Sequence, residues 1–310
     1  MRLLDVFVMS LSATIISYAG VGCLRRWAQR RMLDIPNERS SHTRPTPRGG
    51  GLAIVAVTIA GASLFLIFGH SGANLNQWIL YCAGALLIAV VSLLDDFRSL
   101  PNGVRFAAHI IGALLAIAAF GVWHSIVLPG IGILNLGWLG WPVTVIWIVG
   151  LTNAYNFMDG IDGIAGGQGV VAGLGWGVTG LMSGNQLVCS LGFLLTAACL
   201  GFLFHNWPPA SIFMGDVGSA FLGYTFAVLP IIAANQIDPR FALIGILFVW
   251  PFVFDTTFTF FRRLLNHENV FEAHRSHLYQ RLVMAGYSHG VVSALYICLA
   301  GVGVVLGVWW

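Results

Sequence analysis

The sequence predicts an all-α, polytopic integral membrane protein with about ten transmembrane helices, built as one domain over residues 1–310. Three observations carry this. The 310 residues are 57% hydrophobic and only 9% charged, more apolar surface than a water-soluble core encloses. Apolar stretches long enough to cross a bilayer recur ten times. All fifteen basic residues are arginine, and thirteen of them fall in or beside alternate loops.

The ten stretches are residues 3–23, 50–69, 77–94, 104–123, 139–157, 164–182, 185–204, 213–234, 240–263 and 288–309. The first follows Arg2, so a cleaved leader competes with a span. No A-x-A site follows, however, and "RRWAQRR" is a stop-transfer flank, which favours the span. Cys23, Cys82, Cys189, Cys199 and Cys298 lie in or beside apolar segments without C-x-x-C spacing, as packing residues do.

Arg25, Arg26, Arg30, Arg31, Arg39, Arg44, Arg48, Arg98, Arg105, Arg262, Arg263, Arg275 and Arg281 mark the cytoplasmic loops by the positive-inside rule, with both termini outward. The outer connections are short, and "SIVLPGIGILNLG" turns at Pro129 and Gly130 as a small hairpin does.

The cytoplasmic ends gather acids. "SLLDDF" closes the third span with Asp95 and Asp96, "NAYNFMDGIDGIAGG" joins the fifth to the sixth with Asp159 and Asp162, and "IFMGDVGS" opens the eighth with Asp216. Each alone is plainly read as a hydrated helix cap. Together they are costly, because two like charges about 6 Å apart repel by roughly 3 kcal/mol at an effective dielectric near 20. A cation relieves that.

Asn153, Asn156, Asp159 and Asp162 recur every three residues and would line one side of a helical stretch, with Gly160 and Gly163 exposing its backbone. Oxygen-only groups favour Mg²⁺ or Mn²⁺, and Mg²⁺ takes one or two carboxylates and completes its shell with water and substrate phosphates. A pyrophosphate substrate is implied.

Anion-binding groups come from "DIPNERSSHTRPTPRGGG", which holds Arg39, His42, Arg44 and Arg48 and ends in a glycine run opening the second span. Helix-start amides and guanidinium forks suit phosphate oxygens, so Arg48, Gly49 and Gly50 are substrate-binding candidates. Arg25, Arg26, Arg30 and Arg31 fit a topology role instead. In the last cytoplasmic loop His274, His277 and Arg281 would form one helical stripe with Arg275 alongside, facing phosphate or sugar. Asp255 would sit about 12 Å inside the ninth span by helical rise, and an intramembrane carboxylate is a functional candidate by default. Thr256, Thr257 or Arg262 offers it a local partner.

These residues resemble the polyprenyl-phosphate N-acetylhexosamine-1-phosphate transferases, a branch of glycosyltransferase family 4. From Asp34 to Arg281 the motifs "PNERSSHTRPTPRGG", "LLDDF", "NAYNFMDGIDGIAGG", "FMGDVGSAFLG", "PFVFDTTFTFFRR" and "HRSHLYQRL" follow the family's order. The resemblance implies a helical bundle with a cytoplasmic active-site cleft, in the bacterial inner membrane. It implies transfer of HexNAc-1-phosphate from a UDP-N-acetylhexosamine to undecaprenyl phosphate, with release of UMP and Mg²⁺ (or Mn²⁺) as cofactor. By motif, Asp95 and Asp96 match the pair near the lipid phosphate, with Asp95 the candidate base. Asp216 matches the metal ligand, Asn153 to Asp162 the nucleotide and pyrophosphate region, and His274 and His277 the histidine motif.

Two departures bear on substrate. The clustered triple histidine of the muramoyl-pentapeptide branch is here His-Arg-Ser-His, similar to the branch that initiates O-antigen, and lysine is absent throughout, so any ammonium contact must pass to arginine. Expected partners are the UDP-sugar, undecaprenyl phosphate, the bilayer and possible homodimer contacts, with no nucleic acid. A cation-coupled transporter is the alternative, but its acids belong near midplane. A CDP-alcohol phosphotransferase needs an Ala where Gly166 stands, and a membrane scaffold explains least.

Overall fold

The computed structural model describes residues 3–36, 44–68, 74–269 and 274–310, so Arg2, Arg39 and His42 lie outside the described residues. Each of the ten apolar stretches is helical. They form α1 (Leu3–Ala28), α2 (Gly51–Ile67), α3 (Leu75–Phe97), α4 (Asn102–Phe120), α5 (Gly140–Phe157), α6 (Ile164–Ser183), α7 (Gln186–Asn206) and α8 (Asp216–Gln236). The ninth stretch is two helices, α9 (Phe241–Phe248) and α10 (Trp250–Leu265), bent by 80°, followed by the short α11 (Leu278–Met284) and by α12 (His289–Trp309).

By length and composition six of the described helices, α1, α3, α4, α7, α8 and α12, are long and apolar enough to cross a membrane, or seven with the bent pair as one span. This is fewer than the sequence count of ten, for local reasons. α2 has 17 residues, α5 carries Asn153 and Asn156, and α6 is filled with glycine. Those glycines exchange apolar surface for contact: a Cβ on Gly180 would overlap the Cys189 backbone, and one on Gly192 the Gly177 backbone, so α6 and α7 touch main chain to main chain.

α8 is the axis of the bundle, with every residue from Val217 to Ala234 buried. Tyr224 on α8 donates to Gly112 O on α4 at 3.3 Å, and the Tyr81 and Thr225 hydroxyls pair at 3.0 Å between α3 and α8. Outer helices instead expose Phe7, Ile15 and Ile16 on α1 and Val302 and Val305 on α12, a rim suited to lipid. The 80° break follows from Pro251, which has no N–H to give to the preceding turn. Gln168 Nε2 on α6 donates to the freed Phe248 carbonyl at 2.8 Å, and Trp250 Nε1 to Leu299 O at 2.8 Å.

The bundle has two unlike ends. At one, β1 (Leu33–Asp34) pairs antiparallel with β2 (Thr46–Pro47) near the close of α3 and the start of α8. At the other, β3 (Ser125–Leu128) and β4 (Gly132–Asn135) form the expected hairpin, with Ser125 opposite Asn135. Asn235 there donates to the carbonyls of Phe120 and Val122, and Arg240 bonds Asp238 and the Trp310 carbonyl.

Candidate active site

The acidic doublet ends α3, and its two members do different work. Asp96 is 4% exposed and accepts the first two amides of α8, Asp216 N and Val217 N, each at 3.2 Å. A carboxylate borrowed from α3 thus caps α8, where it also meets the positive end of the helix dipole. Gly215, at φ +77°, makes the approach: a Cβ there would lie 2.8 Å from Asp96 Oδ2. Asp95 accepts from Leu100 N at 2.6 Å and from Arg105 Nη1 at 2.8 Å. The same nitrogen reaches Asp216 Oδ2 at 3.4 Å, so one guanidinium ties the end of α3 to the start of α8. The Asp216 side chain remains 36% exposed.

The four-residue polar stripe is not one line. α5 stops at Phe157 and the chain turns through Gly160 and Gly163, the latter at φ +82°, so the residues fan outward. Asn153 faces α4, with Nδ2 on Val149 O at 2.7 Å and on His109 Nδ1 at 3.0 Å. Asn156 faces α8, donating to Ser219 Oγ at 3.0 Å. Asp162 is engaged by its neighbours: Oδ2 accepts Ala210 N at 3.0 Å and Oδ1 lies 3.5 Å from His289 Nδ1. Asp159 does join the acids. Withdrawal from water, then the charges of Asp216, Asp96 and Asp162, hold its carboxyl well above the usual carboxylate range.

The arginine–glycine segment is partly corrected. Arg48 reaches the cluster, with Nη2 on the Asp96 carbonyl and Nη1 3.9 Å from its Oδ1. The amides of Gly50 and Gly51 are already given to Phe213 O at 3.0 Å and Met214 O at 2.8 Å, so they cannot cradle a phosphate. Gly49, at φ +101°, supplies the turn before α2, and a Cβ on Gly51 would overlap Gly218 on α8. The glycines dock α2 on α8 rather than open a ligand nest.

The histidine stripe is also redrawn. His274 and His277 precede α11 rather than lie on it, their ring centroids are 5.0 Å apart, and His277 is the N-cap. Arg275 is half-buried near Tyr279, while Arg281 is exposed on α11. The loop lies on the α5–α6 turn: Tyr279 Oη donates to Phe157 O at 3.0 Å, and a Cβ on Gly160 would overlap that hydroxyl. Burial, then the charges of Asp159 and Asp255, push the Tyr279 phenol well above the usual tyrosine range. Asp255, expected to bind substrate, is turned to the protein itself. At 1% exposure it accepts from Thr259 Oγ1, His277 Nδ1, Leu278 N, Tyr279 N and Tyr296 Oη, which fill both oxygens.

Sequence reading missed the groups that tie these parts together. Arg105, read as a topology marker alone, stands seven residues after Arg98, which follows the Asp95–Asp96 doublet, and bonds Asp95 and Asp216. Arg262, expected beside Asp255, instead donates to Ser276 O at 2.6 Å and so holds the histidine loop. Asn206 accepts Gly163 N at 2.9 Å and donates to Ile212 O at 3.0 Å, fixing both acidic loops from α7.

Among the described residues no three His, Cys, Asp or Glu side chains form a ready metal cage. The donor set nevertheless suits Mg²⁺, which needs only one or two carboxylates beside water and phosphate oxygens. Asp216 offers an accessible carboxylate, and the crowding around Asp159 is the kind a divalent cation relieves.

Comparison with known proteins places the chain in a family. The model of glycosyl transferase family 4 matches residues 78–234, which include Asp95, Asp96, the α5–α6 turn and Asp216. The chain is 36% identical over 271 residues, 87% of its own length and 74% of the relative's, to the probable undecaprenyl-phosphate N-acetylglucosaminyl 1-phosphate transferase of Bacillus subtilis. It is 30% identical to the decaprenyl-phosphate N-acetylglucosaminephosphotransferase of Mycobacterium tuberculosis (strain CDC 1551 / Oshkosh), over 94% of this chain and 80% of the relative. It is 35% identical to a phospho-N-acetylmuramoyl-pentapeptide-transferase of Synechococcus sp. (strain JA-3-3Ab), over 67% of this chain and 62% of that protein.

Proposed function

Because the chain belongs to glycosyl transferase family 4, we propose that it transfers HexNAc-1-phosphate from a UDP-N-acetylhexosamine to undecaprenyl phosphate. The products are UMP and a lipid-pyrophosphate-linked first sugar of O-antigen or a related cell-envelope polysaccharide. The reaction takes place at the cytoplasmic face of the bacterial inner membrane. The observation that carries this reading is the meeting of Asp95, Asp96, Asp159 and Asp216 with Arg48 and Arg105 at one end of an apolar bundle. That meeting serves a phosphate-bearing lipid whose tail stays in the bilayer, and it does not lie at the midplane as a transporter's acids would.

An oxygen of the lipid phosphate attacks the β-phosphorus of the UDP-sugar. A new P–O bond forms, the P–O bond to the UMP phosphate breaks, and UMP carries away the electron pair. The attacking phosphate has a second pKa near 6 and is already largely dianionic at pH 7, so no strong base is needed. Asp95, engaged by Leu100 N and Arg105, serves chiefly to aim that guanidinium at the phosphates. Arg105 and Arg48 neutralise phosphate charge, and Asp96 fixes the α8 start so that Asp216 stands at a defined height. Asp216, with Asp159 nearby, would hold Mg²⁺, whose chemistry is to neutralise the pyrophosphate and stabilise departing UMP. His274 and His277 line the sugar side.

Purified protein with undecaprenyl phosphate, Mg²⁺ and a panel of UDP-HexNAc donors tests this. UMP should form only when lipid and donor are both present. Solute flux across vesicles without UMP would replace the reading with a transporter.

A further inference from the structure

Asp255 sits in α10, and His277 comes from the far side of a loop, 22 positions later. Both oxygens of Asp255 only accept: Oδ1 takes Thr259 Oγ1 at 3.1 Å, Leu278 N at 2.8 Å and His277 Nδ1 at 3.1 Å, and Oδ2 takes Tyr279 N at 3.1 Å and Tyr296 Oη at 2.6 Å. Facing an ionised acceptor, Nδ1 of His277 carries its hydrogen, and in the neutral ring Nε2 then keeps its lone pair on the edge away from α10. Tyr279 and Phe157 lie against the ring, their centroids 5.9 and 6.4 Å from its own. Nothing among the described residues bonds Nε2.

His274 is set the opposite way. Its Nδ1 accepts from Ser276 N at 3.4 Å and lies 2.9 Å from Ser276 Oγ, and a backbone amide only donates, so its hydrogen sits on Nε2. Two rings 5.0 Å apart therefore carry an N–H on one Nε2, that of His274, and a lone pair on the other, that of His277.

We propose that Asp255, braced by Tyr296, is a positioning residue that fixes His277 as a hydrogen-bond acceptor at Nε2, in a ring 5.0 Å from that of the donor His274. This rests on the sugar-phosphate transfer proposed above, in which the open Nε2 accepts an O–H or N–H of the donor sugar. Asp255 touches no reacting atom. It acts by choosing the tautomer and pinning the ring against the α5–α6 turn.

The test pairs a spectroscopic readout with a double-mutant cycle. Full-length protein labelled with ¹⁵N-histidine, compared with His277→Ala to assign the resonance, should show His277 as the Nδ1–H form. In Asp255→Asn the charge that holds the hydrogen on Nδ1 is removed, and the Nε2–H form should gain population. With UDP-GlcNAc and undecaprenyl phosphate, Asp255→Asn and His277→Ala should each lower kcat/KM at least tenfold. The double variant should be no worse than His277→Ala alone, because Asp255 acts through that ring. Tyr296→Phe, which removes one brace, should fall in between. If Asp255→Asn does not fold, the wild-type spectrum and Tyr296→Phe still decide. An Nε2–H His277 in wild type, or multiplied losses in the double variant, would overturn the proposal and leave Asp255 as a cap of α11 only. Absence of UMP formation by wild type would instead sink the transfer reading, and the tautomer measurement would stand apart from it.

Discussion

The carboxylate of Asp96 receives the backbone amide of Asp216, at 3.2 Å, from a residue 120 positions away, and the adjoining Val217 amide at the same distance. The second acid of the doublet is thus what holds the first residue of α8 in place. Removing it in Asp96→Ala leaves the buried Val217 amide without an acceptor, at about 1–3 kcal/mol, and the half-buried Asp216 amide at less. The melting temperature in detergent should fall by several degrees, and Asp96→Asn, which keeps one acceptor oxygen, should recover part of the loss. Equal melting temperatures for Ala and wild type would remove the cap from the fold's energetics.

Asp216→Asn keeps shape but removes the charge proposed to face Mg²⁺. Loss of a metal-coordinating carboxylate costs several kcal/mol of transition-state stabilisation, and about 4 kcal/mol is a thousandfold in rate. Asp238, held at the opposite end by Arg240 N at 2.8 Å and Arg240 Nε at 3.1 Å, is the control, and Asp238→Asn should stay within a few-fold of wild type. UMP release by the two variants at matched protein levels is the comparison. An Asp216→Asn enzyme as active as the control would move the metal to Asp159.

The raised carboxyl of Asp159 makes stability depend on pH. Unfolded, it ionises near 3.9, and folded at a higher pH, so between those values the folded state holds the extra proton. Its contribution is complete below about 3.9 and is lost as pH rises through the folded value. Asp159→Asn cannot ionise. In EDTA its melting temperature relative to wild type should therefore climb from pH 4 upward, and Mg²⁺ should narrow the gap. A gap constant with pH would mean that the surrounding acids do not act on Asp159.

Gly160→Ala places a methyl group where the Tyr279 hydroxyl lies. The histidine loop should lift from the α5–α6 turn, with turnover falling tenfold or more while the bundle stays folded. Adding Tyr279→Phe removes the obstructing oxygen and should restore part of the rate. No rescue in the double variant would indicate that the turn itself, not the loop above it, is disturbed.

Much of this was legible in the sequence because apolar length and charge placement are local properties. The helices, the hairpin at Pro129 and the gathering of Asp95, Asp96, Asp159 and Asp216 all follow from them. What was not legible depended on pairs far apart in the chain. A period of three from Asn153 to Asp162 reads as a helix face only if the helix continues, and Gly160 and Gly163 end it. Asp255 reads as partnered by Thr256, Thr257 or Arg262, whereas only Thr259 of its own helix bonds it and its other donors arrive from His277, Leu278, Tyr279 and Tyr296. The amides of Gly50 and Gly51 looked free because Phe213 and Met214 lie more than 160 residues on.

α8 is enclosed by protein along its whole apolar length, whereas α1 and α12 present their flanks to the bilayer. Outer helices absorb hydrophobic mismatch by tilting or by thinning the lipid around them. A helix that meets only other helices is shielded from that adjustment. The height of Asp216 is thereby uncoupled from membrane thickness, and the protein carries its own fixed depth reference into bilayers of differing acyl-chain length.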